Sequence, residues 1–311
     1  MKYCFHSLLY AGLAFAQSNI TEFVPDLNGR SVAAAAYTAK NGDRTELTQS
    51  INGRRVPLQS SETRILSDGP QGRIAETVVR KYDATGKLAS TERIVIETQK
   101  RPNGAPVHAT VFRTDVNGQM QEAERRTVET QADGPTAHTA VTVSRPGLSG
   151  SFEVAEKRNV VSTADGKTLH ETEVIERPVQ AGQFAEVGRE IRDQATVGGE
   201  TKSTITNYEP DFTGKMSLIR QQVANIIKAP DGSMVTEVDL YAPSAYGIAR
   251  DQSATPKLKE QDVIVRKEKN GVVTETTTVS RPLLADPNRL GPTQTVSEFV
   301  CTGKCEGPLQ P

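Results

Sequence analysis

Apolar and polar positions alternate along most of the chain, and the pattern returns at a fixed interval. Glycines recur every 32 residues, and a large apolar side chain stands two residues after each. These apolar residues are Leu88, Met120, Phe152, Phe184 and Met216. Apolar–polar alternation between turn signals is typical of β-strands, and a fixed period of this length indicates a repeat array. We predict that the five apolar residues form a core column of the repeat.

Each unit also carries a second turn near its middle. Asp-Gly dipeptides at Asp133, Asp165 and Asp231 tolerate the positive φ of tight hairpin turns. Prolines stand four residues before several of the glycines of the first turn, and proline ends a strand because it cannot donate to a ladder. The unit is therefore predicted to be an antiparallel hairpin with strands of roughly ten to thirteen residues.

Further columns keep the same register. The apolar ones are Val79, Val111, Val143 and Ile175; Ala123, Ala155, Val187 and Ile219; and Ile96, Val128 and Val160. The charged ones are Arg93, Arg125, Lys157 and Arg189, and Glu92, Glu124 and Glu156, each directly before one of the first three cations. Alternating charges on neighbouring strands keep a sheet soluble, so we predict that the charged columns form a solvated ladder.

The repeat predicts an all-β protein, an antiparallel β-hairpin array with a 32-residue unit. About fifteen strands side by side make a sheet so wide that it should twist, curl or close. We expect an open, curved or curled extended sheet. A closed barrel or sandwich, a β-propeller and a β-solenoid are the alternatives.

One repeat resembles a known family. The run Tyr82-Asp83-Ala84-Thr85-Gly86-Lys87-Leu88 is similar to the tyrosine–aspartate motif of bacterial YD or Rhs-type repeat proteins, which build long curling β-sheets at cell surfaces or around toxins. The resemblance covers these seven residues, and the next repeat has Thr114 and Asp115 at the first two positions. It implies a curled sheet.

The ends of the chain differ from the repeats. Residues 1–17 read as a signal peptide, with Lys2 before an apolar stretch and Ala14-Phe15-Ala16 as a cleavage site. The predicted organisation is 1–17 signal peptide, 18–61 irregular N-terminal cap, 62–247 regular hairpins, 248–261 inserted loop, 262–300 last hairpin and 301–311 C-terminal tail. We expect export to the periplasm, the cell surface or the exterior.

Composition narrows the expected partners. The 37 basic and 38 acidic side chains nearly balance, which does not favour a nucleic-acid or anionic-membrane surface. We expect no membrane span, because no later segment approaches the apolar length required. Cys301 and Cys305 are candidates for a small-loop disulfide in an oxidising compartment.

The candidate chemistry is sparse. His108, His138 and His170 each stand four residues after a middle glycine, but strands two apart in a hairpin array lie roughly 9.6 Å from each other, too far to share one metal ion. No hydrolase, phosphate-binding or dinucleotide motif is present, so we predict no catalytic, cofactor-binding or metal-binding residues.

The predicted function is therefore that of a non-enzymatic structural or interaction protein of the cell envelope or exterior. Its partner is expected to be a protein or a cell-surface component, and sheet edges could also pair with a second copy. The alternative is a carbohydrate-binding or carbohydrate-active protein on a β scaffold. Tryptophan is absent and aromatic residues make up 5% of the chain, so the platforms on which sugars usually stack are scarce.

Overall fold

The computed structural model describes residues 23–25, 31–33, 36–51, 54–83, 85–99, 106–180, 182–243, 256–283, 285–286 and 289–302. These residues form strands joined by turns. The strands are β1 (Phe23–Pro25), β2 (Ser31–Ala33), β3 (Ala36–Asn41), β4 (Arg44–Ile51), β5 (Arg54–Asp68), β6 (Gly72–Tyr82), β7 (Leu88–Gln99), β8 (Val107–Thr114), β9 (Met120–Asp133), β10 (Thr136–Pro146), β11 (Phe152–Ala164), β12 (Thr168–Pro178), β13 (Phe184–Val197), β14 (Glu200–Pro210), β15 (Met216–Lys228), β16 (Met234–Ala242), β17 (Lys257–Lys269), β18 (Val272–Ser280) and β19 (Gln294–Thr302). In this described part, no helix is long and apolar enough to cross a membrane.

The sheet is a closed barrel. Among the described residues, seventeen strands, β3 to β19, follow one another around it, while β1 and β2 form a separate two-stranded sheet. Every neighbouring pair within the barrel is antiparallel except β19 and β3, which pair in parallel from Ser297–Ala36 to Thr302–Asn41. An odd number of alternating strands brings the first and last strands together in the same direction, so the closing pair must be parallel.

Closure corrects one prediction and confirms another. The all-β hairpin array is confirmed, whereas the open curled sheet is wrong and the closed barrel, an alternative, is the observed form. Unpaired edges of a wide sheet expose a row of backbone donors and acceptors, and closing the ring removes both edges. Local sequence does not encode this pairing because β3 and β19 lie at opposite ends of the chain.

A β-bulge recurs at the same place in successive hairpins. Between β8 and β9, Val111 faces Glu124 and the next residue faces Glu122, which leaves Ala123 as the extra residue. The equivalent extra residues are Ala155, Val187 and Ile219. One of the predicted apolar columns is therefore the bulge position, and repeated bulges bend the strands and increase the twist that a barrel needs.

The turns of the repeat are held by aspartate side chains. Asp83 Oδ1 accepts the backbone N–H groups of Thr85 and Lys87, and Asp211 Oδ1 accepts those of Thr213 and Lys215. The glycine inside each of these turns has positive φ, as at Gly214, where φ is 83°. The glycine period thus reports a turn conformation that other residues rarely adopt.

The register separates the two faces of the barrel wall. Val111 faces Glu124, Arg126 faces Val143, and Val143 faces Glu156, and cross-strand partners project from the same face. This face contains most of the buried side chains and a concave cavity across four strands, so we call it the inner face. The opposite, outer face contains cations stacked on rings, such as Arg125 over Phe152 at 4.1 Å.

The apolar core is thin and lies within the wall. Val79, Ile94 and Val111 form one buried cluster on β6–β8. Ala224, Val238 and Leu240 form another on β15 and β16. Both clusters join neighbouring strands on the inner face. Of the repeated column Val79, Val111, Val143 and Ile175, the three valines are buried there and Ile175 is partly buried.

The five-residue column predicted as the core is not the core. Leu88 and Met120 are 57% and 42% exposed, while Phe152 and Phe184 are half-buried beneath Arg125 and Lys157. By register, all five residues, including Met216, begin strands on the outer face directly after a turn. No second layer of the described chain covers the outer face at these strand beginnings, so large apolar residues there pack only against neighbours in the sheet.

Several segments predicted from the sequence lie outside the described residues. They are the signal peptide at 1–17, residues 248–255 of the inserted loop and Cys305 in the C-terminal tail. Residues 257–261, assigned to the inserted loop, are the first residues of β17. The described part of the N-terminal cap supplies β3, β4 and the beginning of β5 to the barrel.

Candidate functional site

Buried ion pairs line the inner face. Glu124 on β9 has a side chain only 1% exposed, and its carboxylate accepts hydrogen bonds from Arg126 Nε at 2.5 Å and Arg145 Nε at 2.9 Å. Glu156 on β11 is held in the same way by Arg158 Nε at 2.7 Å and Arg177 Nε at 3.0 Å. We call this arrangement a clasp: one glutamate, an arginine two residues later, and an arginine 21 residues later.

The strand geometry explains the clasp. Residues two apart on a strand project from the same face, so the first arginine lies beside its glutamate. The residue 21 positions later lies on the next strand, where the register brings it back to the same glutamate. Two partial clasps have only the arginine 21 residues later. Arg113 Nε donates to Glu92 Oε2 at 2.8 Å, and Arg281 Nε donates to Glu260 Oε2 at 2.7 Å.

The clasps keep buried carboxylates charged. Burial alone raises the pKa of Glu124, but the hydrogen bonds and charges of Arg126 and Arg145 together hold that pKa below its ordinary value. The same balance lowers the pKa of Glu156. The prediction of a solvated ladder is therefore wrong for the glutamates, which are buried, although the cations of the next column lie on the outer face.

The fourth repeat breaks the pattern. Gly188 on β13 stands where the clasp has its glutamate, and the two arginine positions hold Glu190 and Glu209. In the fifth repeat, Arg220 takes the glutamate position. The sign of the charges is thus reversed over β13–β15.

A cavity of about 460 Å³ lies at this interruption, and we call it the Gly188 cavity. It is lined from β12 to β15 by Glu173, Ile175, Arg177, Val187, Gly188, Arg189, Glu190, Arg192, Ile205, Asn207, Tyr208, Glu209, Ile219, Arg220 and Gln222. Both charge signs and three isoleucines contribute, so the cavity combines polar anchors with apolar surface. Such a combination is typical of ligand sites.

Two carboxylates face each other in this cavity. Glu173 on β12 and Glu190 on β13 are direct cross-strand partners. Glu190 accepts a hydrogen bond from Asn207 Nδ2 at 2.8 Å and lies 3.5 Å from Arg192, while Glu173 lies 3.4 Å from Arg158. Burial raises the pKa of Glu173, the charge of Arg158 opposes this, and the charge of Glu190 adds to it. Like charges directly opposed are unfavourable in a sheet, so this pair costs stability.

A second departure lies on β17. Asp262 stands where a clasp has its first arginine, beside Glu260. Burial and the negative charge of Glu260 raise the pKa of Asp262 to about 7, against the opposing charges of Arg220 and Arg281. In the described residues, Asp262 Oδ1 is buried and has no hydrogen-bond partner.

The histidine column lies on alternate strands of the outer face. His108 on β8 is 3.3 Å from the Thr127 hydroxyl, and His170 on β12 pairs with Asp193 at 2.6 Å. His138 on β10 is exposed. Within the described ranges, no group of three or more histidine, cysteine, aspartate or glutamate residues is placed to hold a metal ion.

Cys301 is fully buried on the inner face of β19, opposite Val273. Cys305 lies outside the described residues, so the disulfide between them stays a prediction. Cys301 lies on β19, which is one of the two strands that close the barrel.

The cavity was missed because sequence reasoning concentrated on columns that repeat. A usable signal was present: the spacing of Glu, Arg two residues later and Arg 21 residues later holds at Glu124 and Glu156, and it fails at Gly188. A departure from a charge pattern within a repeat marks a position that carries a different role from its equivalents.

The fold and the cavity define a class: a closed β-barrel of hairpin repeats whose inner wall is built from ion-paired clasps and opens into a cavity where one clasp is missing. No protein-family model, no curated protein and no solved structure matches the chain. Functional inference therefore depends on the chain's own geometry.

Proposed function

We propose that this chain is an exported, non-enzymatic interaction protein of the cell envelope or exterior, in which the barrel is a scaffold and the Gly188 cavity is a binding site. The observation that carries the proposal is the contrast between the clasps and the cavity. At Glu124 and Glu156 the inner-wall charges are fully engaged with each other. At Gly188 the same scaffold leaves space lined by charged groups.

Three further features support the proposal. Lys2, the apolar stretch after it and the Ala14-Phe15-Ala16 sequence are typical of an export signal. Within the clasps, each glutamate is hydrogen-bonded to arginine, which suits a structural role better than proton transfer. The resemblance of Tyr82–Leu88 to the motif of YD and Rhs-type proteins is consistent with a location at a cell surface.

The test is isolation of the protein from its native envelope or culture medium after brief chemical cross-linking, followed by mass spectrometry of the cross-linked peptides. We expect one class of partner or ligand, attached near β12–β15, in amounts comparable to the protein. A matched sample carrying Glu46→Gln, which alters an exposed pair with Arg44, should capture the same partner. Cross-links scattered over the whole surface would contradict a defined binding site.

The opposed carboxylates favour one second candidate, a carbohydrate-active protein. Glycosidases use two carboxyl groups, one of them with a raised pKa, and Glu173 and Glu190 have this relationship. Against it, Arg158 lies beside Glu173, and Asn207 donates to Glu190. Hydrolysis of any member of a broad glycan panel that is abolished by Glu173→Gln would establish this candidate and overturn the non-enzymatic proposal.

A further inference from the structure

Arg192 interrupts an apolar column of the repeat. The equivalent residues in the three preceding repeats are Ile96, Val128 and Val160, and the equivalent in the next repeat is Ala224. Val160 and Ala224 are buried on the inner face, at 4% and 5% exposure. The hairpin therefore folds with an apolar residue at this position, and the scaffold does not require the arginine.

The Arg192 guanidinium is incompletely satisfied. Its Nη2 lies 3.5 Å from Glu190 Oε1, a long contact for an ion pair. Its Nε is buried and has no hydrogen-bond partner among the described residues. A buried donor without an acceptor lowers stability, and more so when the donor is charged. Because Arg192 lines the Gly188 cavity, an acceptor supplied there by a ligand would remove this cost.

A second cation lies two strands away on the same face. Arg220 on β15 takes the position of the clasp glutamate and also lines the cavity. Ile205 on β14 faces Arg192 on one side. Asn207, two residues further along β14, faces Arg220 on the other side. The charge of Asp262 on β17 already engages Arg220 in part, so Arg192 is the main anchor for an anionic group.

The acids that line the cavity are engaged or hydrated. Glu190 accepts a hydrogen bond from Asn207 Nδ2 at 2.8 Å. Glu173 lies 3.4 Å from Arg158, and burial raises the pKa of Glu173, so it holds a proton more readily than an ordinary glutamate. Glu209 is exposed.

The charges around the cavity nearly balance. The lining has four arginines and three glutamates, and two of these arginines bind glutamates outside it. A ligand with several negative charges would be repelled by Glu173 and Glu190. A ligand with one negative charge placed beside Arg192 avoids most of that repulsion.

The rest of the lining suits an apolar chain. Ile175, Val187, Ile205 and Ile219 contribute apolar surface, and the volume of about 460 Å³ lies in the range of small-molecule sites. Gly188 leaves the space above it open. This glycine is not among the residues with positive φ, and an added Cβ would meet Ile175 Cδ1 at 3.6 Å, so the backbone does not require it.

We propose that the Gly188 cavity binds a small aliphatic monocarboxylate, whose carboxylate accepts hydrogen bonds from Arg192 and whose chain fills the space above Gly188. The ligand supplies the acceptor that the fold leaves out. Charge-assisted hydrogen bonds between a guanidinium and a carboxylate are among the stronger polar contacts. Arg220, across β14, adds a weaker attraction. This inference deepens the proposed binding function and rests on it.

The test is calorimetric titration of the purified protein with hexanoate at pH 7 and low salt. Hexanamide has the same chain without the charge, and hexylamine has the opposite charge. We expect saturable binding of hexanoate with one site per chain and no saturable binding of hexylamine. Hexanamide should bind at least roughly tenfold more weakly, the loss of about one charge-assisted contact. Adding salt should weaken hexanoate binding because the main contact is ionic.

The informative variant is Arg192→Val, which gives this position the residue type of Val160 in the preceding repeat and should therefore fold. Circular dichroism checks the fold, and we expect the affinity for hexanoate to fall by at least roughly tenfold. The matched control is Arg125→Val, which removes an arginine from the outer face, where it binds Glu122. It should keep the affinity within about threefold.

Three outcomes would overturn the proposal: no saturable binding of hexanoate at millimolar concentration, hexanamide or hexylamine binding as tightly as hexanoate, or unchanged affinity in R192V. The comparison of ligands uses the unaltered protein, so it holds even if the variant does not fold. Failure here is distinguishable from failure of the proposed function. If a partner is cross-linked near β12–β15 while hexanoate does not bind, the interaction function stands and only the carboxylate site is rejected.

Discussion

The wall formed by β8–β12 and the wall formed by β13–β17 are built from the same hairpin but use different charges. In the first wall, Glu124 and Glu156 are each held between two arginines. In the second, Gly188, Glu190 and Glu209 reverse that arrangement, and Asp262 takes the place of an arginine beside Glu260. Both walls keep the same bulge, so the backbone of the repeat tolerates either arrangement.

The difference shows that fold and charge pattern are separable in this repeat. Backbone pairing, turns and the bulge maintain the barrel, while the inner-face charges vary from one hairpin to the next. The clasps of the first wall are satisfied internally. At the boundary between the two walls, Glu173 on β12 opposes Glu190 on β13. In the second wall, a buried carboxyl oxygen of Asp262 has no hydrogen-bond partner among the described residues. Charged groups that lower the stability of the fold are candidates for a role in binding.

The largest expected effect comes from breaking a clasp. Glu124→Gln removes the buried negative charge between Arg126 and Arg145, and should lower the free energy of unfolding by about 2–3 kcal/mol. The loss is smaller than for a fully buried pair because Arg145 is 53% exposed and can be hydrated. Urea unfolding followed by circular dichroism at pH 7 measures it.

The control for this prediction is Glu190→Gln in the second wall. Its effect should stay below about 1 kcal/mol, because removing the charge also removes its repulsion with Glu173. Equal losses from Glu124→Gln and Glu190→Gln would show that the two walls do not differ in how their charges are used.

The next effect compares two members of one apolar column, Val143 beside a clasp and Ile175 beside the cavity. Val143 is buried beside its clasp, and Val143→Ala should cost about 2 kcal/mol. Ile175 occupies the equivalent position but lines the Gly188 cavity, so Ile175→Ala should cost less for each carbon removed. Urea midpoints of the two variants, with the slope of the transition held equal, give the comparison. A larger cost per carbon at Ile175 would mean that the cavity is not accessible to water.

Much of this fold was accessible from sequence, because turn glycines, hairpin dipeptides and the column of Val79, Val111 and Val143 report local geometry. Closure of the barrel could not be predicted from the sequence, because the pairing of Ser297 with Ala36 joins distant segments and no local signal specifies it. The glutamates were misplaced because a charged residue was assumed to face water. Their burial depends on arginines 21 residues away, a correlation that becomes meaningful only once strand register is known.

A pH experiment sharpens the contrast between the walls. The pKa values of Glu124 and Glu156 are lowered in the folded state. Their contribution to the free energy of unfolding is therefore fully present above the ordinary glutamate pKa, and it is lost as pH falls through the lower folded-state pKa values. Asp262 makes stability depend on pH in the opposite direction. Its pKa of about 7 lies above the ordinary 3.8, so between these values the folded state binds the extra proton, and stability falls as pH rises.

Asp262→Asn should therefore raise the free energy of unfolding at pH 8 by roughly 1–2 kcal/mol and flatten its dependence on pH between about 4 and 7. Glu124→Gln should instead flatten the acid limb below pH 5. Unfolding free energies measured at intervals from pH 3 to 8 separate the two effects. If Asp262→Asn leaves the curve unchanged, Asp262 is not protonated in the folded protein near neutral pH.

The smallest expected effect concerns the glycine that opens the cavity. Gly188→Ala should be neutral or raise the free energy of unfolding by up to about 0.5–1 kcal/mol. The nearest atom to the added Cβ, Ile175 Cδ1, lies at an ordinary contact distance of 3.6 Å, and alanine restricts the unfolded chain. Gly214→Ala is the matched control: at φ 83° it should lower stability by about 1 kcal/mol or more. Thermal unfolding by calorimetry resolves the two signs. A loss at Gly188 as large as that at Gly214 would mean that the backbone requires glycine there, and the missing side chain would no longer point to a ligand.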